Sequence, residues 1–539
     1  MPTLPRVLRG RMGVLAIICC GLACAAVEQH MIGWNELSHF AQVRAFDHGT
    51  PIIDPYHHTT GDRAVYRGHF YSDKAPGLGF VLVPVYHLAR AVGLVMPSGI
   101  GTVHLLALFG CVLPVVIMLL LAYRLVERRD PGLGAAVGVM LGFGTLLLPF
   151  ATILFSHVLS TALGFAAFYL LWRARERGGT HLGMTLAAGV LAGYAIGTEY
   201  PLALLAGLLG ILVAWRRDPV RPVLAYTAGL IAGLIPLLAY DWWAFGSPLH
   251  LSYSYVTANS SGVLGLGAPS LRSALALLIS GRGLFVVTPV TAAAIAGIVV
   301  LFRERRRVEA IVPAVVAGAY FAYNACYYLP FGGWVPGPRF LITVLPFLAV
   351  PLTAAYRKAP LATLSLALIS AATMITATIT QPLLPVTSPT DTWWKLLGRG
   401  TLGTHGATIT LFAIFTALAL AAGARATPRL RVTRVDLELT VVAVGTWFAM
   451  ESGAPPLLAH VAISEVSWGL IVLLVLAIAL TAIATFVARG RQLALLAGVP
   501  LVVLAPWWFQ HPTLMFCLAA LALGSLLAFV RPPRLVASK

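Results

Sequence analysis

The segment GHFYSDKAPGLGF, residues 68–80, sets an acid and an ammonium side by side, Asp73 and Lys74, just ahead of Pro76 and an apolar run. An ammonium held where a helix begins suits an anionic group such as a phosphate, and a nearby carboxylate can act as a general base. The surrounding chain is rich in such groups. Residues 28–74 hold Glu28, Glu36, Asp47, Asp54, Asp62 and Asp73, six of the 19 acids in a chain of 539 residues. One isolated acid in a loop is ordinarily solvated, whereas acids clustered among bases and aromatics beside apolar spans point to a site. Asp54 precedes Pro55 and Asp62 follows Gly61, so proline and glycine turns are expected to order this loop. Within WNELSHFAQVRAFDHG, Phe40, Val43 and Phe46 alternate with Glu36, His39, Arg44 and His48. That pattern predicts an amphipathic helix lying along the membrane surface, N-capped by Asn35 and ending at Gly49. Lys74 could equally be a plain ion-pair partner of Asp73.

The elements that must position these residues are apolar throughout. The chain is 59% hydrophobic and 10% charged, with a mean hydropathy of +0.87. Runs such as GLIVLLVLAIALTAIATFVA are apolar on every face, which predicts membrane-spanning helices and not the alternating strands of a barrel. The expected fold is an all-α polytopic membrane protein of about 13–16 transmembrane helices with a large outward first loop, 30–99, containing interfacial helices. The net charge of +18 comes from basic clusters such as Arg124/Arg128/Arg129, Arg173/Arg175/Arg177 and Arg303/Arg305/Arg306/Arg307 that punctuate the spans at every second loop. That is the positive-inside pattern from a cytoplasmic N-terminus, and it accounts for the charge without nucleic acid. The six cysteines fall within or at the edges of spans without CxxC spacing, as small core hydrophobes would. Residues 1–29 are read as an uncleaved first span in preference to a signal peptide.

These motifs resemble the glycosyltransferase C (GT-C) superfamily, in particular the family 39-like membrane enzymes that include protein O-mannosyltransferases and aminoarabinose transferases. The matching residues are Asn35-Glu36 after the first span, the helix to Gly49-Thr50, and Tyr71-Ser72-Asp73-Lys74-Ala75-Pro76-Gly77-Leu78. Asn35 replaces the family's first acid, and Ala75 and Gly77 break its double proline and leucine. IGTEYPLALL, with Glu199 where a lysine is common, YDWWAFGSP and GGWVPGPRFLITVLPFL extend the resemblance to about residue 360. It implies a GT-C-like catalytic module over 1–378, an outward loop at 379–406 and accessory helices over 407–539. It also implies transfer of a sugar from a polyprenyl-phosphate donor to a glycan, lipid or protein hydroxyl, on the extracytoplasmic side of a bacterial inner membrane.

On that footing Glu36 is the first candidate for general base and Asp54 the second, with Lys74 and Arg339 as phosphate partners. Asp62 and Asp73 would orient sugar hydroxyls or the loop. Tyr56, Tyr66 and Tyr71 offer ring faces suited to a sugar, though interfacial aromatics are common without one. His157 and Glu199 are kept in reserve, because a lone membrane histidine more often packs than binds. No metal is assigned; His57-His58 with Asp54 and Asp62 could hold a divalent ion but match no metal motif. The alternative is a transporter or lipid flippase without bond-forming chemistry, whose ionisable residues would lie mid-span.

Overall fold

Apolar segments in lipid satisfy every backbone N–H and C=O internally, so the long runs form helices. The computed structural model describes residues 5–95, 99–178, 180–256, 265–386, 389–404, 406–428 and 430–460. Among them, seven helices are long and apolar enough to cross a membrane: Val7–Ala25, Ile100–Arg129, Val220–Phe245, Arg307–Cys326, Arg339–Lys358, Pro360–Ile379 and Gly406–Ala426. Leu271–Val287 and Val290–Arg303 form an eighth candidate bent by 95°. Shorter apolar helices, including Leu182–Thr198 and Leu202–Ala214, fill the bundle between them. The chain is thus a polytopic helical membrane protein. Spans expected at 465–487, 492–508 and 512–530 lie outside the described residues.

Glycine decides one helix pair. A methyl group at Gly189, Gly193, Gly229 or Gly233 would collide with the backbone of the facing helix, so Leu182–Thr198 and Val220–Phe245 touch main chain to main chain. Elsewhere the expected span at 132–150 is interrupted. It runs as Gly134–Gly144 and Leu147–Ala151, and the next helix starts only at Ser156. Hydroxyls serve the broken backbone: Thr145 Oγ1 donates to the Leu141 carbonyl, and Thr152 Oγ1 to Pro149. Gln29 Nε2 donates to Thr152 Oγ1 at 2.8 Å, tying this break to the end of the first span.

The first helix of the loop is more buried by protein than its amphipathic pattern predicts. Helix Trp34–Asp47 is buried on both sides: Phe40 and Val43 pack with Leu78, Leu82 and Leu106, while Asn35, Glu36, Ser38, His39 and Gln42 are buried as well. Its N-cap is Gly33 and not Asn35, because the Glu36 carboxylate reaches back to accept the Gly33 amide at 2.7 Å. What covers its polar side is the antiparallel hairpin of β1, Arg63–Tyr66, and β2, His69–Ser72, which leads directly into Asp73 and Lys74. Tyr66 and Tyr71 of that hairpin cluster with Phe245 at the end of the helix Val220–Phe245. Helix Gly77–Ala91 follows, its start pressed so closely on Gly197 and Thr198 that Gly77 has no room for a side chain.

Candidate active site

Lys74 is buried at the start of helix Gly77–Ala91, yet it is charged on both sides. Its Nζ lies 2.8 Å from Asp62 Oδ2 and 3.1 Å from Asp73 Oδ2. Burial opposes the ammonium, but Asp73 and Asp62 outweigh it and raise its pKa. Asp73 is raised as well: burial and the neighbouring Asp62 lift its carboxyl despite Lys74. Asp62, the more open of the two acids, titrates below its ordinary range, because Lys74 and Arg339 overcome its burial. Ser38 Oγ bridges the acids' backbone and side chains, donating to the Asp62 carbonyl at 2.6 Å beside Ser72 Oγ.

Arg339 opens the span Arg339–Lys358 and brings a second cation to this cluster. Its guanidinium stands 5.0 Å from the Phe340 ring and 6.0 Å from Phe155. Backbone room for it comes from Gly332, at φ +74°, where any β-carbon would strike the guanidinium. Its Nε is buried without a hydrogen-bond partner among the described residues.

The remaining predicted residues fall into separate places. Glu36 is buried with both oxygens engaged, one by Gly33 N and the other by Leu154 N at 3.2 Å. Burial lifts its carboxyl to about 7 even against those two amides. Asp54 sits apart, capped by His69 Nδ1 and the Phe70 amide, each at 2.7 Å. Tyr56 is stacked under Arg44, 3.6 Å from the ring centroid, and Tyr66 donates to the Phe245 carbonyl. His157 and Glu199, from two neighbouring helices, meet: His157 Nδ1 is 3.1 Å from Glu199 Oε1, which also accepts the Ser156 hydroxyl. Asp54 and Asp62 therefore serve different partners, and among the described residues no group of three or more His, Cys, Asp or Glu is arranged to hold a metal.

Several site residues carry no signal in the sequence. His39 is fully buried, with neither ring nitrogen hydrogen-bonded, and burial together with Lys74 pushes it down to about 3, so it is neutral. Ser252, from the short turn Ser252–Tyr255, donates to the Asp73 carbonyl at 2.9 Å and meets Tyr200 Oη at 3.2 Å. The Ser252–Asp73 contact joins residues 179 apart in the chain, so no local pattern announces it.

Comparison of the whole chain with solved structures finds the same architecture. It is similar to ArnT from Cupriavidus metallidurans bound to undecaprenyl phosphate, with a TM-score of 0.51 and 14% identity over 82% of this chain and 81% of that one. ArnT in the apo state gives 0.47 at 16% identity, over 83% and 73% of the two chains. An oligosaccharyltransferase from Archaeoglobus fulgidus gives 0.38 at 11%, over 82% and 59%. No family model and no curated protein matches the sequence. The chain shares the fold of the ArnT structure bound to undecaprenyl phosphate.

Proposed function

We propose that this chain is a membrane glycosyltransferase that moves a sugar from a polyprenyl-phosphate donor to an acceptor hydroxyl, at the outward face of a bacterial cytoplasmic membrane. The observation that carries the reading is Lys74: a buried ammonium at the end of a helical bundle, shared between two acids, with Arg339 beside it. The fold agrees, since the ArnT structure of the same fold is bound to undecaprenyl phosphate.

The chemistry follows from the charges. A sugar phosphodiester carries one negative charge, and breaking the bond from its anomeric carbon to the phosphate oxygen leaves two on the departing polyprenyl phosphate. Lys74 and Arg339 stabilise that gain, and they do so most in the transition state because they are desolvated and already held in place. When the phosphate takes Lys74, Asp62 and Asp73 give up part of their ion pair and are left to accept hydrogen bonds from sugar hydroxyls. Glu36 then acts by positioning, fixing helix Trp34–Asp47 to the segment at Leu154, and Asp54 by closing the hairpin turn.

The test is mass spectrometry of polyprenyl phosphates after the purified protein is incubated with a lipid and glycan extract of its host, beside Lys74→Gln. Release of free polyprenyl phosphate by the wild type and not by the variant is the expected result. Flux of lipid across sealed vesicles with no bond broken would replace the enzyme with a carrier.

A further inference from the structure

We propose that His157 is the base that takes the acceptor's proton and that Glu199 positions it; this rests on the transfer reading above. His157 lies in the first turn of helix Ser156–Glu176 and is 5% exposed. Glu199, at the break between Leu182–Thr198 and Leu202–Ala214, faces Nδ1 at 3.1 Å, which leaves Nε2 as the atom free to accept a proton. Neither ring nitrogen has a well-aligned hydrogen-bond partner among the described residues. The ring centroid is 5.4 Å from Phe340 and 6.0 Å from Phe155, the same two rings against which Arg339 stands. The imidazole is thus placed beside the cation assigned to the phosphate.

The first-loop acids assigned to the site are already engaged. Asp62 and Asp73 hold Lys74, both oxygens of Glu36 accept backbone amides, and Asp54 accepts His69 and Phe70. His39 is also unpartnered, but Asp62, the acid near it, is held by Lys74, whereas Glu199 stands directly against His157 Nδ1. Glu36 contributes at one remove, since its hold on the Leu154 amide fixes the segment that delivers His157.

In the step, the acceptor oxygen forms its bond to the anomeric carbon as its proton passes to His157 Nε2. The bond from that carbon to the phosphate oxygen breaks, and its electron pair leaves with polyprenyl phosphate. Glu199 stabilises the imidazolium until the proton is lost to water.

The charged and titratable groups facing the ring are Glu199, Arg339, Lys74 and His39. The experiment measures polyprenyl phosphate release as above, with undecaprenyl phosphate as the binding probe and melting temperature as the check on folding. His157→Ala and His157→Gln are expected to lose about 100-fold in release while binding stays within about twofold, and added imidazole restores part of the His157→Ala rate. Glu199→Gln is expected to lose about tenfold and to move the acid limb of the pH–rate profile to lower pH, because the imidazolium has lost its carboxylate. Wild-type rates in both His157 variants overturn the assignment while leaving the transfer reading intact. Parallel loss of binding and release without imidazole rescue also overturns it, reducing His157 to packing. No release by the wild type sinks the transfer reading and this inference together.

Discussion

At the arginine-rich end of the bundle, Arg129 bridges Glu176 and Glu309, Arg306 bridges Asp130 and Glu309, and Arg357 reaches Glu304 and Asp130. At the other end of the same helices, Lys74 stands near Arg339, whose Nε has no hydrogen-bond partner among the described residues, and near the rings of His39 and His157, whose nitrogens have no well-aligned one. The 21-residue helix Ser156–Glu176 connects the two regions, about 30 Å apart. In the first region each of these three cations faces at least one acid from another helix, so the charges fasten the bundle. In the second, desolvated polar groups outnumber their internal partners. A fold tolerates that cost where another molecule supplies the missing half.

The contrast breaks most visibly with one cation from each end. Lys74→Ala is expected to cut polyprenyl phosphate release at least about 100-fold and to weaken undecaprenyl phosphate binding. Arg306→Ala removes one partner of Asp130 and of Glu309, which keep Arg357 and Arg129, so it is expected to cost about 1 kcal/mol in stability yet leave release per folded molecule within about twofold. Equal loss of turnover in both would erase the distinction.

A smaller effect separates collision from strain at the second cation. Gly332 and Gly333 both have positive φ, +74° and +120°, but only at Gly332 does a β-carbon meet Arg339. Both alanine variants are expected to lose about 1 kcal/mol or more through backbone strain. Gly332→Ala alone is expected to lose phosphate affinity as well, about tenfold, read by titration with undecaprenyl phosphate. The same loss at Gly333 would show that Arg339 is not what the binding depends on.

The effect of pH on Glu36 is smaller again. Its carboxyl is about 7 in the fold against 4.5 for the unfolded residue. Between those values the unfolded chain gives up a proton that the folded chain keeps, so stability is full below about 4.5 and falls as pH rises through 7. Glu36→Gln is expected to flatten that fall in a series of melting curves from pH 4.5 to 8. An unchanged slope would mean that the carboxylate is not desolvated in the fold. Least of all, Arg357→Ala removes a part-exposed pair with Glu304 and should change stability by no more than about 1 kcal/mol.

The helical bundle and the Asp73–Lys74 pair were legible because both rest on local patterns: apolar length in one case, adjacency before Pro76 in the other. Arg339 was legible as a cation at the head of a span. The buried state of helix Trp34–Asp47 was not, since its polar side is covered by a hairpin that periodicity cannot place. The His157–Glu199 meeting was also hidden, because it depends on how two helices dock and not on spacing. GVLAG at 189–193 and GLIAG at 229–233 were a readable signal for the tightest helix pair, as two small residues four apart permit main-chain contact.

That pair limits how a long lipid can reach the site. On the transfer reading proposed above, a polyprenyl tail must enter the bundle sideways, between helices, because its length belongs in the bilayer while its phosphate goes to Lys74. Where Gly189, Gly193, Gly229 and Gly233 press two backbones together, no isoprene unit fits. The wall formed by Leu182–Thr198 and Val220–Phe245 is therefore a closed seam, and the tail's doorway lies on another side of the protein.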